Sequence, residues 1–384
     1  MAVHITRLKV QNWLNFERFD IALERRNFFI GPNAAGKSNL LEVIKFLRDI
    51  VVSDGGGLQA AVERRGGVGD LRCLSARRNP NISIEISIGT DDDPNTWTYA
   101  LEFTSQKNSE PIVIREVIGS SDKSKSVLNR PDSADKADDV LLSQTALEQV
   151  SLNRHYREIV EFLRSVQYLH VVPQMIRDPD RQQRKHDPFG SDLIERIAST
   201  SPRLQNARLR RMEEALKIAA PQLQHLELEV DKKGTPHLRG KYAHWRPHGA
   251  WQREDKFSDG TLRLLGLIWS LQERGGPLLL EEPELSLNSA VVRHLAPLIS
   301  RSMRRSGRQV LIATHSADLL SNNVRLEEVH LLRVGREGTE VVSGGDLVDV
   351  KREIEAGIPL AEALLPKSAV ANADQLSLLD LLGS

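Results

Sequence analysis

Apolar and polar residues alternate from Ile5 to Val10, the two-residue period of a half-buried strand. A second strand is expected around Phe19–Leu23, and a third, wholly apolar, ends at Phe28-Phe-Ile30. After a glycine-containing loop, Asn39–Ile50 places its apolar residues at helical spacing, so the loop joins a buried strand to a helix. Asp54-Gly-Gly-Gly57 breaks the pattern. Ile82–Ile88 and Trp97–Phe103 read as strands of a hairpin or meander. Ser120–Asp139, rich in Ser, Asp and Lys, predicts an exposed, mobile connection. Helical spacing dominates Val140–Arg164. A strand at Tyr168–Val172, helices over Ser191–Ala220 and a short strand at Leu226–Val230 follow. Thr261–Leu271 is helical again, Pro277–Leu280 a buried strand, Ala290–Met303 a helix, and Gln309–Ala313 another buried strand. Wholly apolar strands alternating with helices predict an α/β fold with a parallel sheet covered on both faces.

Composition narrows this only a little. The 384 residues leave room for two or three lobes, and 40% hydrophobic with 27% charged residues is ordinary for a globular protein. A single cysteine, Cys73, excludes an internal disulfide framework and a cysteine-based zinc site. No apolar run reaches the roughly 20 residues that span a bilayer, and the start lacks a secretory signal, so the cytoplasm and no membrane partner are expected. With 52 basic and 52 acidic residues, a globally basic nucleic-acid coat is excluded, although a local patch is not.

Four segments carry chemistry. Gly31-Pro-Asn-Ala-Ala-Gly-Lys-Ser38 fits the P-loop spacing in its proper setting between strand and helix. Its glycines let backbone N–H groups curl round a phosphate at the positive end of the helix. Lys37 is expected to reach the β and γ phosphates and the Ser38 hydroxyl to ligate Mg²⁺, with Pro32, Asn33, Ala34, Ala35 and Asn39 completing the cradle. Pro277-Leu-Leu-Leu-Glu281-Glu282-Pro283-Glu284 is an apolar strand ending in acids, which delivers carboxylates to a sheet edge. Neighbouring strand residues face opposite ways, so Glu281 is expected in the Mg²⁺ shell and Glu282 as the base that orients and deprotonates water. Ser258-Asp259-Gly260 precedes a helix and suits either an anion site or ordinary N-cap and turn chemistry. His315, at the end of the strand Gln309–Ala313, is placed to report a γ-phosphate.

Taken together, Gly31–Ser38, Ser258–Gly260, Leu278–Glu282, Leu285–Asn288 and His315 resemble the head of an ABC-type ATPase: P-loop, signature, Walker B, D-loop and H-loop, in that order. The start, Ile5 to Phe16, is similar to the RecF/SMC branch, and Glu281–Glu284 with Ser258–Leu264 to small bacterial members related to the ATPase part of OLD nucleases. The resemblance implies an ATP- and Mg²⁺-dependent head with a mixed β-sheet. Two heads would pair head to tail on ATP, with Ser258 and Gly260 of one meeting the γ-phosphate held by the other, and Leu285 and Asn288 at the interface. The pattern departs from the family's at Glu281, where Asp is usual, and in lacking an evident Q-loop glutamine; Gln174 is the best candidate. No heptad run announces a long coiled coil, so the insertion is expected to be a compact helical lobe.

The implied layout is 1–115 and 251–345 for the head, 116–250 for an inserted, mainly helical lobe, and 346–384 for a tail. Arg181, Arg184, Lys185, Arg208, Arg210 and Arg211 suit either DNA phosphates or a solvated face, since Asp178, Asp180 and Glu195 are interleaved. Leu376–Leu382 suits a docking helix or a strut. Little chain follows His315, so a nuclease or other effector is expected on a separate chain. The expected role is a sensor or regulator in DNA repair or anti-phage defence; a structural DNA clamp and a transporter ATPase are the alternatives.

Overall fold

The computed structural model of the protein describes residues 3–75, 79–106, 110–122, 127–151, 153–178, 187–243 and 250–368. The basic residues Arg181, Arg184 and Lys185 and the apolar tail at Leu376–Leu382 lie outside them. The chain forms two compact units, Met1–Val166 with Ala313–Ser384, and Gln167–Ile312.

The first unit begins with β1 (His4–Trp13), β2 (Phe16–Ala22), β3 (Arg26–Ile30), β4 (Ile82–Gly89), β5 (Trp97–Ser105), β6 (Pro111–Ser120) and β7 (Leu128–Arg130). All but β3 make one antiparallel sheet in the order β2-β1-β4-β5-β6-β7. Its register aligns the apolar set: Leu8 faces Ile21 on β2 and Ile86 on β4, and Ile86 faces Tyr99 on β5. These four are buried. The helix Lys37–Val51 contributes Phe46, whose ring centroid lies 5.1 Å from that of Trp13 and 5.5 Å from that of Phe103. Fully burying such a ring contributes roughly 1.5–3 kcal/mol.

The segment expected to be an exposed connection, Ser120–Asp139, is mostly exposed among its described residues, but Arg130 and Asp135 are buried. It supplies β7, a helix at Ser133–Ala137, and a buried ion cluster. Arg130 binds Asp135 and Glu116 at 2.7 and 3.0 Å, and Glu116 also accepts from the Tyr99 hydroxyl and the Ala146 N–H. Burial pushes the Glu116 carboxyl up, against the opposing pull of Ala146 N–H and Arg130. Within the segment, Arg130 and Asp135 are the charges that neutralise one another inside, while Asp132, Lys136, Asp138 and Asp139 stay exposed.

The second unit holds β8 (Gln167–Leu169), β9 (Leu223–Val230), β10 (Pro236–Tyr242), β11 (Ala250–Arg253) and β12 (Leu278–Glu281). β8 and β12 run parallel, while β11-β10-β9 is a separate antiparallel sheet. Residues 116–250 therefore carry strands beside their helices. β10 and β11 are polar, which hid them from a reading based on apolar runs. The helix expected over Ala290–Met303 is two, Ser289–Val292 and Leu295–Ser306. Pro297 has no N–H to return to the Arg293 carbonyl, so it fits only a first turn. β13 (Val310–Thr314) carries the chain out of this unit and back into the first.

There β14 (Val329–Gly335) lies parallel to β3, pairing Val329 with Phe28 and Leu331 with Ile30, and β15 (Gly338–Ser343) returns antiparallel. Both strand senses thus occur, giving the expected mixed α/β fold. His330 is buried on β14, stacked 5.2 Å from Phe29 and 3.2 Å from the Asn27 amide oxygen. Burial lowers its pKa to about 4. A histidine depressed below its unfolded value adds stability that is complete above about pH 6.5 and lost as the pH falls toward about 4. Between pH 7 and pH 4 the protein is expected to lose about 3 kcal/mol more than a His330→Leu variant, as read by urea denaturation at each pH.

Candidate functional site

Three pieces of the chain carry the expected chemistry. In the first unit, β3 is buried along its whole length and ends at the P-loop. A Cβ on Gly31 would lie 2.6 Å from the Leu332 carbonyl oxygen, and one on Gly36 2.0 Å from the Asn15 amide nitrogen. Gly36 also has φ of 90°, and Ala34 follows the same left-handed path at 62°. The loop is thus wound too tightly for side chains at its two glycines. Gly36 opens the helix Lys37–Val51 with no side-chain cap and no acid in the first turn. The positive end of the helix thus opens onto the loop with no carboxylate of its own first turn beside it, a setting that favours an anion. Lys37 is buried and folds back, its Nζ donating to the carbonyls of Gly31 at 2.9 Å and Pro32 at 3.0 Å. Ser38, Asn33 and Ala34 are exposed, and Pro32, Gly36 and Asn39 half-buried; Ala35 is buried beneath.

Asn15 braces this loop and was not singled out from sequence. Its amide donates to the Ala35 carbonyl at 3.1 Å and to the Thr339 hydroxyl at 2.6 Å, and its carbonyl accepts from Asn39 at 2.8 Å. The Thr339 N–H returns to the Asn15 carbonyl at 2.7 Å. Asn15 lies in the Asn-Trp-Leu-Asn-Phe stretch that carried the RecF/SMC resemblance, which was the available signal. His315 is in this unit too, exposed immediately after β13.

In the second unit, β12 ends at Glu281, and Glu282 turns out of the strand with φ of 43°. The Tyr168 hydroxyl, on β8, donates to Glu281 Oε2. His170 hydrogen-bonds the Glu281 backbone. Burial lowers the His170 pKa, as does the Arg263 charge, against the pull of that bond and of Glu282. Arg263 and Leu267 of the helix Asp259–Gln272 join Leu280, Glu281, Glu282 and Leu169 around a small cleft. None of Tyr168, His170 and Arg263 announced itself in the sequence; each becomes visible only once β8 is known to pair with β12.

Also in the second unit, Ser258 caps that helix, its Oγ accepting from the Thr261 N–H at 3.2 Å, and is itself exposed. Arg177 secures the turn by bonding the Phe257 carbonyl at 2.7 Å and the Asp259 carboxylate. Gly260 presses on the D-loop segment: a Cβ there would lie 2.5 Å from the Ser286 carbonyl oxygen. Leu285 is half-buried, and Asn288 exposed as the cap of the next helix. Gln174 is exposed on the one-turn helix Pro173–Ile176.

One expected surface residue is corrected. Arg208 is buried, with its guanidinium 5.0 Å over the Trp269 ring. It is therefore withdrawn from a phosphate-binding face, while Arg210 and Arg211 remain exposed. The long aliphatic stem and the flat guanidinium explain why an arginine can pack as core. Cys73 is also buried.

Residues 26–322 match the family described as "AAA domain, putative AbiEii toxin, Type IV TA system". The chain belongs to this family. A shorter match, 31% identical over 85 residues, is to the DNA replication and repair protein RecF of Bacillus mycoides; it spans 22% of this chain and 23% of that protein. Among solved structures, this AAA-family protein is similar to an Smc head bound to the C-winged helix domain of ScpA, with a TM-score of 0.55 at 16% identity over 88% of this chain and 97% of that one. The Smc head from Pyrococcus furiosus matches with a TM-score of 0.53 at 15% identity, over 92% and 100%. The Smc head from Pyrococcus yayanosii matches at 0.52 and 14%, over 94% and 99%. The AAA-family protein thus has the fold of an Smc head, together with an 85-residue likeness to RecF. No helix among its described residues is long and apolar enough to cross a membrane.

Because Asn15 ties together the loop at Ala35, the helix at Asn39 and β15 at Thr339, Asn15→Ala is expected to weaken ATP binding about tenfold, the worth of one or two lost hydrogen bonds. Titration with a fluorescent ATP analogue checks this; unchanged affinity would show the brace to be dispensable.

Proposed function

We propose that the protein binds and hydrolyses ATP with Mg²⁺ and pairs with a second copy while ATP is bound. The observation that carries this reading is the P-loop itself: two close-packed glycines, a helix start with no acid in its first turn, and Lys37 folded over the loop's own carbonyls. A lysine held in this way needs only to swing from carbonyl to phosphate when nucleotide arrives. Gly31–Asn39 cradles the phosphates. Ser38 and Glu281 offer the oxygen donors that Mg²⁺ takes, and the ion supplies charge neutralisation at the transferred phosphoryl group. Glu282 orients and deprotonates the attacking water, and His315 contacts the γ-phosphate. The outward turn of the backbone at Glu282 supports a role different from that of Glu281.

Exposed Ser258, with Asp259 and Gly260, supplies the signature face for the partner copy's γ-phosphate, so that ATP binds the pair and hydrolysis releases it. The biological role we propose is a sensor or regulator in the cytoplasm, in DNA repair or anti-phage defence, acting with an effector such as a nuclease. The RecF match and the toxin–antitoxin wording of the family support that direction. DNA contact, if made by the Arg210–Arg211 face, would make ATP turnover respond to duplex DNA; a flat response would leave the signalling reading in place of the clamp.

Lys37→Ala is expected to abolish detectable ATP binding. Glu282→Gln is expected to slow hydrolysis at least about a hundredfold, the contribution typical of a general base, and to accumulate an ATP-bound dimer. Analytical ultracentrifugation with ATP and Mg²⁺ checks the second point; a Glu282→Gln protein that stays monomeric at high concentration sinks the paired-head mechanism.

A further inference from the structure

Glu281 stands where the family pattern has the shorter Asp, and the neighbouring strand shows what the extra methylene reaches. β8 and β12 pair in parallel, Leu278 with Gln167, Leu279 with Tyr168 and Leu280 with Leu169. Alternate strand residues share a face, so Leu279 and Glu281 lie on one face of β12; Tyr168 lies on β8, and His170 follows just past its end. Tyr168 donates its hydroxyl to Glu281 Oε2, and His170 bonds the Glu281 backbone. Tyr168 of β8 and His170 just after it thus grip one residue of β12, at its side chain and at its main chain.

We propose that Tyr168 is a positioning residue for the Walker B carboxylate: its phenol holds one oxygen of Glu281 so that the other is presented to the Mg²⁺ shell. The Tyr–Glu pair takes the place of a lone aspartate. A glutamate has one more rotatable bond than an aspartate, and an anchored oxygen removes that freedom before the metal arrives. A partner outside the metal's own ligands typically changes metal affinity by about 10–100-fold when lost. The proposal rests on the reading of Glu281 as the metal-side carboxylate.

The experiment is titration of the full-length protein with a fluorescent ATP analogue, with EDTA and across a Mg²⁺ series, alongside Mg²⁺-dependent ATP hydrolysis. Tyr168→Phe is expected to raise the Mg²⁺ concentration for half-maximal nucleotide binding by about tenfold and to leave affinity in EDTA unchanged. Glu281→Asp in the Tyr168→Phe background is expected to recover most of that loss, since the shorter acid does not need the phenol. A Tyr168→Phe protein with wild-type Mg²⁺ dependence overturns the proposal, and so does a double variant no better than Tyr168→Phe alone, which would mark Tyr168 as packing. Glu281→Gln separates the two levels. If it leaves the Mg²⁺ effect intact, Glu281 is not the metal-side acid and both readings fall; if it abolishes the effect while Tyr168→Phe does not shift it, only the role of Tyr168 falls.

Discussion

Where β3 gives way to the P-loop, the backbone passes so close to Leu332 that a Cβ on Gly31 would stand 2.6 Å from its carbonyl oxygen. β14 creates this contact by lying parallel to β3, with Leu331 opposite Ile30. The same pairing fixes where β15 begins, and Thr339 on β15 holds Asn15, which in turn holds Ala35 and Asn39. The phosphate cradle is therefore braced from both sides by elements far apart in the chain. Its shape comes from main-chain proximity, with Lys37 and Ser38 supplied by the helix that follows.

The carboxylate side is built on a different plan. Glu281 belongs to a regular parallel pair and is gripped from β8, whereas Glu282 leaves the strand in a left-handed conformation uncommon for a residue with a side chain. Such conformations are kept where the surroundings over-determine them. Two adjacent acids thus acquire unlike settings from a single change in backbone direction. This supports giving them unlike duties.

Much of this was legible along the chain. Buried apolar runs, such as Phe28–Ile30 of β3, Leu278–Leu280 of β12 and Val310–Ala313 of β13, and the P-loop with its flanks stand out because burial on both faces leaves those runs without a polar interruption. The polar strands β10 and β11 do not, since their half-exposed faces imitate loops. Arg130 and Asp135 were hidden for the opposite reason: charge reads as solvent exposure until its partners are known. Tyr168, His170 and Arg263 carry no signal of their place, and Asn15 only that of the stretch it lies in. Their positions depend on which strands become neighbours, and a long-range pairing leaves no local trace. Arg208 shows the limit from the other side, a residue read as surface charge that lies flat on Trp269.

Gly260 packs against the Ser286 carbonyl so closely that even a methyl group would collide. That constraint is internal to the fold and does not depend on nucleotide. A descendant of this chain that had lost every trace of turnover would still need glycine at 260 to seat its own D-loop segment. Ser258 is exposed, and the helix start it caps would accept Asp or Asn as well. The two positions are therefore held by different constraints: glycine at 260 by close packing within the fold, and residue 258 by the capping of one helix.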